Sequence, residues 1–294
     1  MDRPHSVHLP VMLEEVLAWL DPQPGQTFVD GTLGGGGHTE ALARRVGPSG
    51  LVIALDRDPQ ALEAAERRLA GQPINLVGAN YCELPEVLAQ LEIPAVQGIL
   101  LDLGLSSDQL ADAQRGFSFD SAGPLDLRFD PSAGEPAWQW IERLDATELA
   151  NVIFRYGEER HSRRIARKIV EQRTKQPIRT AAQLADLVRR CVPHPRGKQR
   201  IDPATRTFQA LRIAVNDELG SLATALEKFP DCLLPGGRLA VISFHSLEDR
   251  LVKEAFRDDP RYQPLVRKPL RPTDAEIERN PRSRSAKLRV ASKP

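Results

Sequence analysis

The chain has 294 residues, of which 41% are hydrophobic and 27% charged. That composition excludes a collagen-like, mucin-like or wholly disordered chain, and the length suits one large domain or two modest ones. Its formal net charge of zero hides a segregation: residues 151–212 carry 16 Lys+Arg against 5 Asp+Glu, and residues 261–294 carry 10 against 3. The rest of the chain is correspondingly acidic. Two basic segments on an acidic body suit a polyanionic partner approaching from one side, or basic helices docked on acidic surface of the same chain. Cys82, Cys191 and Cys232 stand far apart with no C-x-x-C, which suits a reducing cytoplasm and not a disulfide framework. No signal-peptide core opens the chain, and no apolar run approaches the roughly 20 residues of a membrane helix.

In chain order, Val11–Leu20 reads as a short amphipathic helix stopped by Asp21-Pro22. Thr27–Asp30 is a strand running into glycines, and His38–Val46 a helix. Leu51–Asp56 is a buried strand. Asp58-Pro59 then starts a helix, with Asp as N-cap and Pro at the first helical position. Ile74–Val77 is a third strand, Leu84–Leu91 a helix and Gln97–Leu103 a fourth strand. Apolar strands alternating with helices predict a parallel sheet covered on both faces. The alternation stops near Asp108. Residues 111–136 are loop-like, and helical patterns follow at 146–154, 158–176 and 180–191. Pro193–Pro203 is irregular. One helix over 204–228 resumes the body, followed by a strand at Gly237–Phe244, a helix at Leu247–Arg257 and a terminal strand at Ala286–Ala291. The expected organisation is therefore a sheet domain formed by 1–107 and 209–294, interrupted by a basic helical insertion at 108–208.

The glycine-rich run Asp30–His38 lies between the first strand and its helix. Glycines there turn tightly and let a ligand approach the backbone, at the edge where open α/β sheets bind ligands. There is no GK[ST], so it is not a P-loop, and GxGxxG fits poorly. Asp56 ends the second strand, where a carboxylate can accept from ribose hydroxyls; an NAD enzyme would use it too. Tyr81 could stack on an adenine or fill the core. Asp102 ends the fourth strand and Gln109 follows it. His245 and Asn216 form a second candidate cluster. His245 could order a base or take a proton, or be satisfied by neighbouring backbone. Arg206 and Arg212 could hold phosphates or sit in salt bridges, and the helix bearing Arg163 and Arg164 reads as a phosphate-tracking face. Cys191-x-x-His194 is half a metal pattern without partners, so no metal is expected.

Together, D-G-T-x-G-x-G-G-H, L-D-R-D, I-L-L-D-L-G-L-S-S, R-G-F-S-F, G-P-L-D-x-R, Y-G-E-E-R, A-T-R-T-F-Q-A-L-R-I-x-V-N, S-F-H-S-L-E-D-R and N-P-R-S-R-S resemble the bacterial 16S rRNA (cytosine-N4)-methyltransferase family, RsmH or MraW. The match runs from His8 to about Val290. The resemblance implies a class I methyltransferase fold, Rossmann-like with a mostly parallel sheet and an inserted helical domain. It implies S-adenosylmethionine (SAM) as methyl donor and N4-methylation of a cytidine in 16S rRNA, near the P site of the small ribosomal subunit. Mapped by motif, cofactor contacts fall on Gly36, Gly37, His38, Asp56, Tyr81, Asp102 and Gln109. Many amino-methylating enzymes carry Asp/Asn-Pro-Pro-Tyr after the fourth strand. This chain has Asp102-Leu103-Gly104-Leu105 there, so the acceptor that activates the amine is Asp102, the backbone after it, or a group elsewhere. The competing readings are a SAM-dependent enzyme acting on another nucleic-acid amino group, a SAM-binding ribosome-assembly or RNA-binding factor, and, more distantly, a nicotinamide oxidoreductase.

Overall fold

A computed structural model describes residues 9–119, 122–192 and 202–294. His8, His194 and most of the irregular stretch 193–203 lie outside them. The chain divides into two compact units, residues 1–106 with 219–294, and residues 107–218. The boundary expected at 208 falls inside a helix, and the second unit extends to Glu218.

The first unit opens with α1 (Leu13–Leu20), β1 (Thr27–Asp30), α2 (Gly37–Val46), β2 (Leu51–Asp56) and α3 (Pro59–Arg68). β3 (Ile74–Gly78), α4 (Leu84–Gln90) and β4 (Val96–Asp102) complete its first half. The second unit holds α5 (Ser107–Ala111), α6 (Ala137–Arg143), α7 (Ala146–Gly157), α8 (Ser162–Arg173), α9 (Ala181–Cys191) and α10 (Thr205–Asn216). α11 (Glu218–Cys232) returns the chain to the first unit. There β5 (Leu233–Ser243), α12 (Ser246–Asp258), β6 (Gln263–Pro264), α13 (Asp274–Arg279) and β7 (Lys287–Ser292) follow.

The seven strands form one sheet in the order β3-β2-β1-β4-β5-β7-β6. The first five pair in parallel, while β7 runs antiparallel to both β5 and β6. Successive side chains of a strand point to opposite faces. Val29, Ile53, Leu101 and Val241 accordingly pack under α4, α11 and α12, against Leu88, Phe229 and Phe256. Phe28, Val52, Leu100 and Ile242 pack on the other face with Leu17 of α1 and Leu42 of α2. Both faces are covered, which is why the central strands read as continuous apolar runs. The parallel strands end together, so Asp30, Asp56 and Asp102 share one edge.

Local chemistry sets the helix starts. Asp58 accepts from the Gln60 N–H at 3.1 Å, with Pro59 at the first helical position. In the second unit, reciprocal capping boxes start α7 (Asp145 with Glu148) and α9 (Thr180 with Gln183). The single helix expected over 204–228 is two, divided at Asp217, whose φ of +48° ends α10 in a left-handed cap. α5, α6, β6 and α13 were not expected; each has seven residues or fewer, too few to show a period. No helix among the described residues is long and apolar enough to cross a membrane.

Candidate active site at the carboxyl edge of the sheet

The loop after β1 is held from both sides. The Gly31 N–H donates to the Leu100 carbonyl and the Leu33 N–H to the Leu55 carbonyl, each at 2.9 Å. Gly34 and Gly36 have φ of +47° and +73°, a region that costs a residue with a Cβ. A Cβ on Gly36 would also meet the Arg68 guanidinium at 2.6 Å, and one on Gly37 would meet the Pro10 ring at 3.1 Å. Backbone sign and close approach thus both bear on Gly36, and close approach alone on Gly37. A Cβ on Gly31 would lie 3.0 Å from that of Tyr81, which places Tyr81 beside the loop. Tyr81 opens a short 3-10 turn capped by Asn80.

Asp56 joins β2 to this loop. Its two oxygens accept from the Gly34 N–H at 2.8 Å and the Asp58 N–H at 2.9 Å. Burial nevertheless pushes its carboxyl up to about 6, against the pull of those two bonds. A raised carboxylate at a ligand-binding edge is poised to gain from further donors.

Behind the loop, Asp30 is fully buried and accepts from the Thr39 hydroxyl at 2.7 Å and the Thr32 N–H at 3.1 Å. Thr32 in turn accepts the Asp102 N–H on its hydroxyl at 2.7 Å, so the first and fourth strand ends are tied together. His38, in the first turn of α2 and 5% exposed, brings Nε2 to 3.4 Å from Asp102 Oδ2. Burial opposes a charge on His38, but the carboxylates of Asp102 and Asp30 outweigh it and raise its pKa. Burial also raises Asp30, with His38 and Thr39 pulling the other way. Asp102 Oδ1 is buried and has no hydrogen-bond partner among the described residues. An acceptor in that condition is costly unless something donates to it. The donor set therefore fits a nucleoside cofactor: acidic acceptors at the ends of β2 and β4, a ring beside them and a glycine cradle between. Of the supporting groups Thr32, Thr39 and Asp30, sequence reasoning missed the roles of the two threonines. The D-G-T stretch that supplies two of the three groups was already in view.

His245 stands at the end of β5 on the same edge, but its Nδ1 accepts the Glu248 N–H at 3.3 Å and caps α12. Accepting there puts the ring proton on Nε2, which lies 3.0 Å from Glu248 Oε1. Glu248 also accepts from the Phe244 and His245 N–H groups. The backbone thus satisfies Nδ1 of His245, while its buried Nε2 makes no hydrogen bond among the described residues.

The remaining candidates belong to the second unit. Gln109 is buried on α5. Asn216 accepts the Phe129 N–H at 2.7 Å and donates to the Leu127 and Arg212 carbonyls at 2.7 and 2.9 Å. That amide clamps the 127–129 segment to α10, a structural task in place of the catalytic one considered for it. Arg212 makes a bidentate pair with Glu218 at 2.8 and 2.9 Å, so it is a salt-bridged arginine and not an open phosphate ligand. Arg206 is exposed and donates to the Glu158 carbonyl at 3.3 Å. Arg163 and Arg164 are exposed on α8.

Residues 5–294 match the model of the MraW methylase family. A Rhodopirellula baltica protein named ribosomal RNA small subunit methyltransferase H is 51% identical over 298 residues, covering 97% of this chain and 91% of its own length. Proteins of the same name from Syntrophotalea carbinolica and a Synechococcus strain are 50% and 52% identical. They cover 99% and 97% of this chain, and 99% and 92% of their own lengths. Near-complete coverage at this identity, over a chain whose glycine loop and strand-end acids are intact, leaves one conclusion: the chain belongs to the MraW methylase family.

Proposed function

We propose that this protein transfers a methyl group from SAM to the exocyclic N4 of a cytidine in 16S rRNA, in the decoding region near the P site of the small ribosomal subunit. The observation that carries the reading is the carboxyl edge of the sheet. There Asp102 keeps a buried oxygen without a partner among the described residues, beside a glycine cradle and Asp56. Further support comes from the strand order with its antiparallel β7, the arrangement of class I methyltransferases, and from the names of the relatives.

The residues of the first unit proposed to hold SAM are Gly36, Gly37, His38, Asp56, Tyr81 and Asp102. When bound, SAM supplies a methyl on a positively charged sulfur, which leaves as the neutral thioether of S-adenosylhomocysteine. The cytidine amine forms the new N–C bond, the C–S pair goes to sulfur, and the nitrogen then loses a proton. Its lone pair is delocalised into the ring, so an acceptor at an amino hydrogen helps it attack. Asp102 is the proposed acceptor. His38 and Thr32 hold it, the first at Oδ2 and the second through its backbone N–H. Alignment of the reacting atoms is the other contribution, and the doubly anchored loop provides a rigid base for it.

The test is methyl transfer from labelled SAM to small subunits lacking their own methylation, with naked 16S rRNA and duplex DNA in parallel and nucleoside mass analysis of the product. N4-methylcytidine in the subunit is the expected result. Label on DNA alone, or on another nucleoside, would overturn the substrate assignment.

A further inference from the structure

Most described cations of the second unit fall into two groups; apart from these, Arg115 and Arg173 donate to backbone carbonyls, and Arg190 is exposed near the end of α9. Arg128, Arg143, Lys168, Lys175, Arg179, Arg189 and Arg212 each reach a carboxylate. Arg155, Arg160, Arg163, Arg164, Arg167 and Arg206 reach none among the described residues, and all six are exposed. The second group is local. Residues 154–168 hold six of the chain's Lys+Arg and two Glu, on the end of α7, the start of α8 and the connection between them. α7 packs against both α8 and α10. The Arg206 guanidinium on the Glu158 carbonyl places the sixth arginine at the same end of α7. No acid occupies the first turn of α8, where the helix dipole disfavours the cations that stand there instead.

Within this basic stretch lies Phe154. Among the described residues it is the most exposed large apolar side chain, at 62%. α7 buries Leu149, Ala150 and Ile153 on its packed face and leaves Phe154 on the opposite stripe, with Asn151 and Arg155. The Arg155 guanidinium lies over the ring of Tyr156, 5.3 Å from its centroid. A partner protein's apolar core would meet a rim of unpaired arginines here. A duplex would meet the arginines but offer no base face to the ring. An aromatic face among unpaired cations matches single-stranded nucleic acid, in which bases stack on the ring and phosphates meet the guanidiniums.

We infer that Phe154 is a stacking platform for an unpaired base of the RNA substrate, with Arg155, Arg160, Arg163 and Arg164 holding the flanking phosphates. This rests on the rRNA reading given above and adds a residue and a strandedness to it.

The test is binding of a short fluorescent single-stranded oligoribonucleotide, and of the same sequence as a duplex, to the full chain and to Phe154→Ala, Phe154→Leu and Phe154→Trp. Stacking predicts that Ala and Leu each weaken single-strand binding about ten-fold, that Trp retains it, and that duplex binding is unaffected. Melting curves control for folding, which an exposed side chain should leave intact. In the methylation assay, Phe154→Ala should raise KM for the small subunit by a similar factor at unchanged SAM affinity. Wild-type single-strand affinity in Phe154→Ala, full retention in Phe154→Leu, or no single-strand binding by the unaltered chain would each overturn the proposal. An unaltered chain that methylates no RNA yet binds the single strand through Phe154 would instead count against the rRNA reading alone.

Discussion

The two basic stretches look alike as sequence and differ in the folded chain. In the C-terminal stretch five of the ten cations are tied to the protein itself, while Arg267, Lys268, Arg271, Arg279 and Arg284 are exposed and reach no carboxylate among the described residues. Lys287 and Arg289 both bind Asp249, at 2.8 and 2.7 Å. Arg261 pairs with Asp231 and Asp259, Arg282 donates to the Leu105 carbonyl and Lys293 to the Leu233 carbonyl. In the helical stretch the arginines at 155, 160, 163, 164 and 167 have no carboxylate among the described residues. A charge count therefore overstates the RNA-facing surface, and pairing separates structural cations from available ones.

The largest expected effect breaks the chemistry and leaves both basic stretches alone. Asp102→Asn should slow methyl transfer by about a hundred-fold or more, the scale of a lost acid–base group, in a single-turnover assay. Next come two carboxylates that the fold shifts in opposite directions. Burial tends to raise Asp249, but Arg289 and Lys287 outweigh it and hold its pKa low. Its contribution to stability is present above the ordinary carboxylate value and is lost as pH falls through the lowered one. Removing it with Asp249→Ala leaves two half-buried cations unpaired and should cost about 3 kcal/mol in urea unfolding at neutral pH, with RNA affinity intact. Asp56 behaves in reverse. Its contribution is full below pH 3.8 and is lost as pH rises through about 6, a span worth about 3 kcal/mol. Unfolding titrations should show that slope in the unliganded protein and lose it in Asp56→Asn. Ribose hydroxyls donating to Asp56 would favour its ionised form, so SAM affinity by calorimetry should rise with pH across the same window. Smaller again, Asn216→Ala should cost about 2 kcal/mol, because it strands the Phe129 N–H and the Leu127 carbonyl. Smallest in stability, Arg163→Ala and Arg164→Ala should leave unfolding unchanged while each lowers the salt slope of RNA binding by about one.

Much of the sheet was legible because its signals are local. Thr27–Asp30 and Leu51–Asp56 are apolar runs that end on a carboxylate, and Asp58-Pro59 carries its own cap. The break at Asp217 was not legible, since a left-handed residue leaves the apolar period on either side undisturbed. The glycine loop, Asp56 and Asp102 stood out by residue type and strand position. The task of Asn216 did not, because its partners at 127 and 129 lie 89 and 87 residues away in sequence. Arg212 was read with both outcomes open, and only its distance to Glu218 settles which one the fold uses.

The central claim is a division of labour, with chemistry at the sheet edge and RNA contact on the helical arginines. The most direct measurement is the steady-state kinetics of methyl transfer to small subunits by the unaltered chain, Asp102→Asn and the double variant Arg163→Ala/Arg164→Ala. The account predicts that Asp102→Asn lowers kcat while KM for the subunit holds. It predicts that the double variant raises KM for the subunit roughly ten-fold at unchanged SAM affinity. Equal activity in Asp102→Asn, or a double variant that loses SAM affinity and keeps its KM, would contradict it.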